Sequence, residues 1–112
     1  MKIKKLIKSF IYIILGRAAG KKLREEGAGC KTPEDYTKLA FSFNFNPFRF
    51  INIKPGQVKG EISALLKILN NRKLESILEI GTGSGGTLYL FARMASLSAS
   101  LISVDLPGGS FG

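Results

Sequence analysis

Two acidic residues and a run of glycines are the groups in this 112-residue chain whose types and spacing could do chemistry. The stretch Ser76-Ile77-Leu78-Glu79-Ile80-Gly81-Thr82-Gly83-Ser84-Gly85-Gly86 sets an apolar run of strand length directly before a glycine-rich turn, with Glu79 at the mouth of that turn. Leu101-Ile102-Ser103-Val104-Asp105 is a second apolar run that ends in an acid. Glycines let a backbone turn sharply and approach a ligand closely. A helix that follows aims its unpaired N–H groups and positive dipole end at the same gap. Such a gap suits a ligand with polar oxygens or a carboxylate. The chain has no histidine and one cysteine, Cys30. That removes the commonest metal ligand and general base, and it excludes an internal disulfide or a cysteine-based metal cluster. No metal site is expected, and Cys30 reads as an ordinary reduced thiol in a loop.

Spacing alone leaves two ligand classes open. Gly81, Gly83 and Gly86 satisfy the dinucleotide pattern G-x-G-x-x-G, while Gly81, Gly83 and Gly85 satisfy G-x-G-x-G equally well. Glu79 tips the balance, because a carboxylate at the turn repels a pyrophosphate yet can partner an ammonium group. A zwitterionic ligand is therefore favoured. Glu79-Ile-Gly81-Thr-Gly83-Ser-Gly85-Gly86 resembles motif I of the class I S-adenosylmethionine-dependent methyltransferases. The resemblance implies that Glu79, Gly81, Thr82, Gly83 and Gly85 hold the methionine part of S-adenosyl-L-methionine. It also implies that Asp105 accepts hydrogen bonds from the ribose hydroxyls. It extends from about Ile51 to Gly112. Ile53-Lys-Pro55-Gly-Gln57-Val-Lys-Gly-Glu61-Ile62, followed by Leu65-Leu66, is similar to the lead-in helix of bacterial methyltransferases related to the cephalosporin hydroxylase and methyltransferase-24 groups. Asp105 to Gly112 is similar to the loop after their second strand.

The fold this implies is α/β: a truncated Rossmann-like methyltransferase unit, the first βαβ of a doubly wound parallel sheet, preceded by helices. The family sheet has seven strands, of which two can be found here. The expectation is thus an amino-terminal fragment, inactive alone, whose acceptor and catalytic residues are not named by this sequence.

Several elements must position these groups. Leu88, Phe91, Ala92 and Ala95 fall at i, i+3, i+4 and i+7, so the pattern predicts a helix over 86–96 between strands at 75–80 and 100–105. The unit from Ser76 to Asp105 has the length of about 30 residues usual for a parallel pair with a helical crossover. Val58, Ile62, Leu65, Leu66 and Leu69 predict a helix from Gln57 to Asn70-Asn71 that packs against the sheet, with Gln57 at its start either solvated or touching the cofactor. Thr32-Pro33-Glu34-Asp35 marks another helix start, with a run to about Ala40. Phe41, Phe43, Phe45, Phe48 and Phe50 then cluster around a turn at Asn44, Asn46 and Pro47. Aromatics at this density read as core or cover for a helix, against the alternative of a stacking platform for adenine or an acceptor.

The net charge of +9 is placed unevenly, with nine of the 17 Lys and Arg in residues 1–31 against Glu25 and Glu26 alone. The chain divides accordingly into a basic leader helix and linker at 1–31 and an incomplete methyltransferase domain at 32–112. In the leader, Ile3, Leu6, Ile7, Phe10, Ile11 and Ile14 form one stripe of a helix over 2–24, with Lys2, Lys4, Lys5 and Lys8 off it. Gly16, Gly20, Gly27 and Gly29 punctuate the stretch that follows, so the leader is expected to break into linker before Thr32. The apolar run from Phe10 to Leu15 is far short of the roughly 20 residues that span a bilayer, and Arg17 follows it with no cleavage site. The helix packs on the rest of the domain or on a protein partner, or lies on an anionic membrane surface, with export as the remaining alternative. Nucleic acid is not an expected partner, since no base-reading or stacking residues accompany the basic run. The location expected is cytoplasmic, with peripheral membrane contact as an addition. Two other readings stay open: a fragment of an oxidoreductase that binds NAD or FAD through Gly81, Gly83, Gly86 and Asp105, and a non-enzymatic basic membrane-associated protein.

Overall fold

A computed structural model describes residues 2–107. The expected loop from Asp105 to Gly112 lies, from residue 108 on, outside the described residues. The chain is mixed α/β, with three helices and a small hairpin leading into one parallel strand pair.

Helix α1 spans Lys2–Gly27 and so runs three residues beyond the predicted end at 24. Each interior glycine costs about 1 kcal/mol against alanine. Gly16 and Gly20 are nevertheless carried through by the helix formers around them and by packing at Ala19 and Gly27, which are buried. Gly27 must be small, because a Cβ there would come within 2.8 Å of the Tyr89 hydroxyl. The linker is thereby reduced to 28–31.

Helix α2 (Pro33–Ser42) starts where the sequence predicts. Asp35 N–H donates to Thr32 Oγ1 at 3.2 Å, and Thr32 N–H donates to Asp35 Oδ2 at 3.0 Å, so the box is closed in both directions. The N–H groups of Lys31 and Thr32 hold the Asp35 carboxyl below its ordinary range. Thr32→Ala should lower stability by about 1 kcal/mol in thermal unfolding. It should also let the Asp35 titration, followed by NMR, drift up toward an ordinary aspartate. Because the folded value is the depressed one, the contribution is present above the unfolded carboxylate range and is lost as pH falls through the folded value. An unchanged Asp35 titration in the variant would show that the cap does not act on it.

Strands β1 (Asn44–Phe45) and β2 (Phe48–Asn52) form an antiparallel hairpin about a cis Asn46–Pro47 bond. The phenylalanine pattern places the turn, whereas the pairing is a finding of the structure. Phe43 is buried, while along the hairpin Phe45 stacks on Phe48 with ring centroids 6.1 Å apart and Phe48 meets Phe50 edge to face at 6.0 Å.

Helix α3 (Lys59–Asn70) begins two residues later than predicted and packs chiefly on α2 and on helix α4 (Gly86–Met94), with Leu74 at the start of the sheet reaching the same core. Its buried row is therefore Ile62 and Leu66, and both Val58 and Leu65, expected on the covered face, are exposed. Leu90 and Met94 of α4 join Ala40, Ile62 and Leu66 in the core.

Strand β3 (Leu74–Ile80) pairs in parallel with β4 (Ala95–Val104), in register from Ser76 opposite Ser100 to Ile80 opposite Val104. β4 starts five residues earlier than predicted, and α4 stops two residues earlier. Alternation along the pair gives two unlike faces. Ile77, Glu79, Leu101 and Ser103 lie on the covered face, whereas Leu78, Ile80, Ile102 and Val104 are exposed on the other.

Candidate functional site

The carboxyl end of β3 enters the turn through Gly81, whose N–H donates to Val104 O at 2.7 Å and ties the start of the turn to the end of β4. Gly81, Gly83 and Gly85 adopt φ of 88°, 53° and 84°. Side-chain-bearing residues rarely adopt that region, so these three positions are glycine for a backbone reason before any ligand is considered. Gly85 serves as the N-cap of α4 without a side-chain cap, which leaves first-turn N–H groups of the helix free of side-chain partners.

Glu79 lies beneath the turn at 7% exposure. Its neighbour across the ladder is Ser103, whose hydroxyl donates to Glu79 Oε2 at 2.7 Å. The Ser103 proton is thus committed, so the 2.6 Å contact between Thr82 Oγ1 and Ser103 Oγ has Thr82 as donor. Two hydroxyls in series point toward one carboxylate oxygen. The other, Glu79 Oε1, is buried and has no hydrogen-bond partner, and the residue has no ion-pair partner, among the described residues. A buried carboxylate in that condition is costly unless something cationic or hydrogen-bond-donating meets it.

Asp105 stands just past β4, and its Oδ2 accepts the Gly83 N–H at 3.2 Å while Oδ1 accepts from Leu106 N–H at 2.8 Å. The two acids selected from the sequence are therefore brought to one turn, Glu79 below it and Asp105 at its rim. Asp105 remains exposed, with lone pairs open to a ligand.

Gly86 does something the spacing could not reveal. A Cβ there would fall 1.8 Å from Ile53 O and 2.9 Å from the Pro55 ring, so this glycine seats the segment before α3 against the start of α4. Ser84 Oγ donates to Lys54 O at 2.6 Å, and Thr87 Oγ1 donates to Gln57 Oε1, which fastens the same junction. The result is a cleft of about 310 Å³ with Pro55, Gly56 and Gln57 on one side and Gly81 to Ser84 on the other. Gln57 is thus at the site and hydrogen-bonded. Gly81, Thr82 and Gly83 line the cleft directly, whereas Glu79, Gly85 and Asp105 support or flank it. None of the five clustered phenylalanines lines it. Sequence reasoning passed over Ser103, Ser84 and Thr87. A signal for Ser103 does exist, since aligning the two strand ends sets it opposite Glu79. Among the described residues no group of acids and cysteine has metal-holding geometry.

No family model, curated protein or solved structure matches the chain.

Proposed function

We propose that this chain binds S-adenosyl-L-methionine and is the cofactor-binding part of a methyltransferase, with β3–α4–β4 as the first βαβ unit of a doubly wound, Rossmann-like sheet. The observation that carries the reading is the buried Glu79 carboxylate with one oxygen unpartnered beneath a three-glycine turn. A ligand that brings a positive amino group to that turn supplies what the carboxylate lacks.

The free N–H groups at the start of α4 suit the carboxylate of the same amino-acid moiety. Asp105 at the rim suits ribose hydroxyls, which donate to it. A pyrophosphate is served badly here. Its natural donor, the Gly83 N–H, is already taken by the Asp105 carboxylate. Two acids, one beneath the turn and one at its rim, would then stand close to a dianion. The bound cofactor supplies an electrophilic methyl group, and transfer asks mainly that it be held at attack distance. The residues named here therefore bind and orient, and the methyl acceptor stays unassigned. The location we propose is cytoplasmic. No helix among the described residues is long and apolar enough to cross a membrane.

Isothermal titration of the full chain with S-adenosylmethionine and with NAD tests this. The expected result is heat of binding for the first and none for the second, with Glu79→Gln weakening the first about tenfold, the effect of losing one charge-assisted contact. Absence of S-adenosylmethionine binding up to about 1 mM, the weak end of useful affinity, together with NAD binding that tightens in Glu79→Gln, would overturn it.

A further inference from the structure

We infer that the amino-terminal half of α1 and the β1–β2 hairpin together form a docking surface for an anionic lipid bilayer. The two halves of α1 present different faces. In the carboxyl-terminal half, Ala19, Leu23 and Gly27 recur every fourth residue and are buried or half-buried against the body. The stripe of Ile3, Leu6, Ile7, Phe10, Ile11 and Ile14 is centred about 170° away from that row at 3.6 residues per turn. It is exposed along its length: Ile3 is 72% exposed and Phe10 63%. The packing of the second half thus fixes the stripe of the first half outward.

The hairpin extends this surface. A groove of about 380 Å³ runs between α1 and the hairpin, lined by Ile7, Ile11, Tyr12, Leu15, Phe48 and Phe50 together with Lys4 and Lys8. Tyr12 meets Phe50 edge to face with centroids 6.3 Å apart, and Phe50 is still 64% exposed. Ile7 and Ile11 belong to both stripe and groove, so the apolar surface is continuous from helix to hairpin. A continuous exposed apolar patch of this kind marks an interaction site.

Charge selects the occupant. Residues 2–24 hold eight Lys and Arg and no Asp or Glu, and Arg49 stands exposed between Phe48 and Phe50. A second copy of this chain would set like charges against like, whereas anionic headgroups complement them. No described helix is long and apolar enough to cross a bilayer. The helix would therefore lie along the interface, with its stripe and the two phenylalanines in the headgroup boundary and its lysines among the phosphates.

Cosedimentation of the full chain with vesicles of phosphatidylcholine alone, and of phosphatidylcholine with phosphatidylglycerol, tests the surface. Binding is expected with the anionic vesicles, at least tenfold tighter than with the neutral ones, and it should weaken as salt rises. Replacing Lys4, Lys5 and Lys8 together by Gln should weaken it about a hundredfold. Phe50→Ser should weaken it about tenfold with the salt dependence unchanged, and Phe50→Leu should restore it. Circular dichroism that matches the parent establishes that each variant is folded. Equal binding to both vesicles, binding to neither, or full affinity in Phe50→Ser would overturn the inference. So would a dimer in light scattering that Phe10→Glu dissolves while vesicles bind neither form, because the face would then belong to a second copy.

Discussion

Gly86→Ala is expected to cost more stability than any other single substitution at the site. The new methyl group would stand 1.8 Å from Ile53 O and 2.9 Å from the Pro55 ring. Neither neighbour is the free end of a flexible side chain, so the segment 53–57 must leave α4 to admit it. Overpacking typically costs 1–3 kcal/mol, and a backbone carbonyl at this distance places the cost at the upper end, about 3 kcal/mol. Denaturant unfolding should show the loss. Ser84→Ala and Thr87→Ala, which remove hydrogen bonds at the same junction without adding atoms, should each cost about 1 kcal/mol. If Gly86→Ala unfolds no more readily than these two, the segment does not lie against α4 as described.

Asp105→Ala should produce the largest loss of ligand affinity. Glu79→Gln keeps the shape of its side chain and its hydrogen bond from Ser103. Asp105→Ala, by contrast, removes the acceptor proposed for the ribose and at the same time releases the Gly83 N–H from its carboxylate. A charge-assisted hydrogen bond contributes about 1.5–3 kcal/mol. The loss of one such bond, together with a slackened turn, should weaken S-adenosylmethionine binding by roughly a hundredfold in calorimetry. The freed N–H gives the test its second arm. If the site prefers phosphates, Asp105→Ala should bind inorganic phosphate or NAD better than the parent. That outcome would move the reading from a sulfonium cofactor to a pyrophosphate one.

The sequence shows most clearly those features that a short local pattern fixes. Thr32 to Asp35 closes its box because every partner lies within three residues. The turn from Gly81 to Gly85 is legible because left-handed backbone calls for glycine whatever surrounds it. The ladder from Ile77 to Ile80 and from Leu101 to Val104 follows from apolar runs of strand length. Features set by distant partners were not visible. Ala95-Ser-Leu-Ser-Ala-Ser, mostly small side chains, carries no strand signal of its own, and it joins β4 through Ala95 opposite Leu74 and Ser100 opposite Ser76, with a register shift between them. Val58 and Leu65 fit the helical stripe of α3, but α3 meets two helices through a narrow row and leaves both in solvent. Gly16 and Gly20 read as breaks, since the tertiary contacts that carry α1 past them lie in α2 and α4. At the site, the glycines and both acids were found by type and spacing, whereas Ser103 and the role of Gly86 depend on register and on a contact made across more than thirty residues.

That last contact decides how the molecule can be dissected. A peptide beginning at Leu74 would contain every glycine of the turn, both acids and the strand pair, and would look from its sequence like a self-sufficient module. It would lack Pro55, Gly56 and Gln57, which form the opposite side of the cleft, and the Lys54 carbonyl on which Ser84 is anchored. The smallest piece that retains a two-sided cleft starts upstream of Ile53. The motif and the two-sided cleft are therefore different lengths of chain, and a graft of the turn alone into another scaffold would carry over the glycines and both acids without the recess beside them.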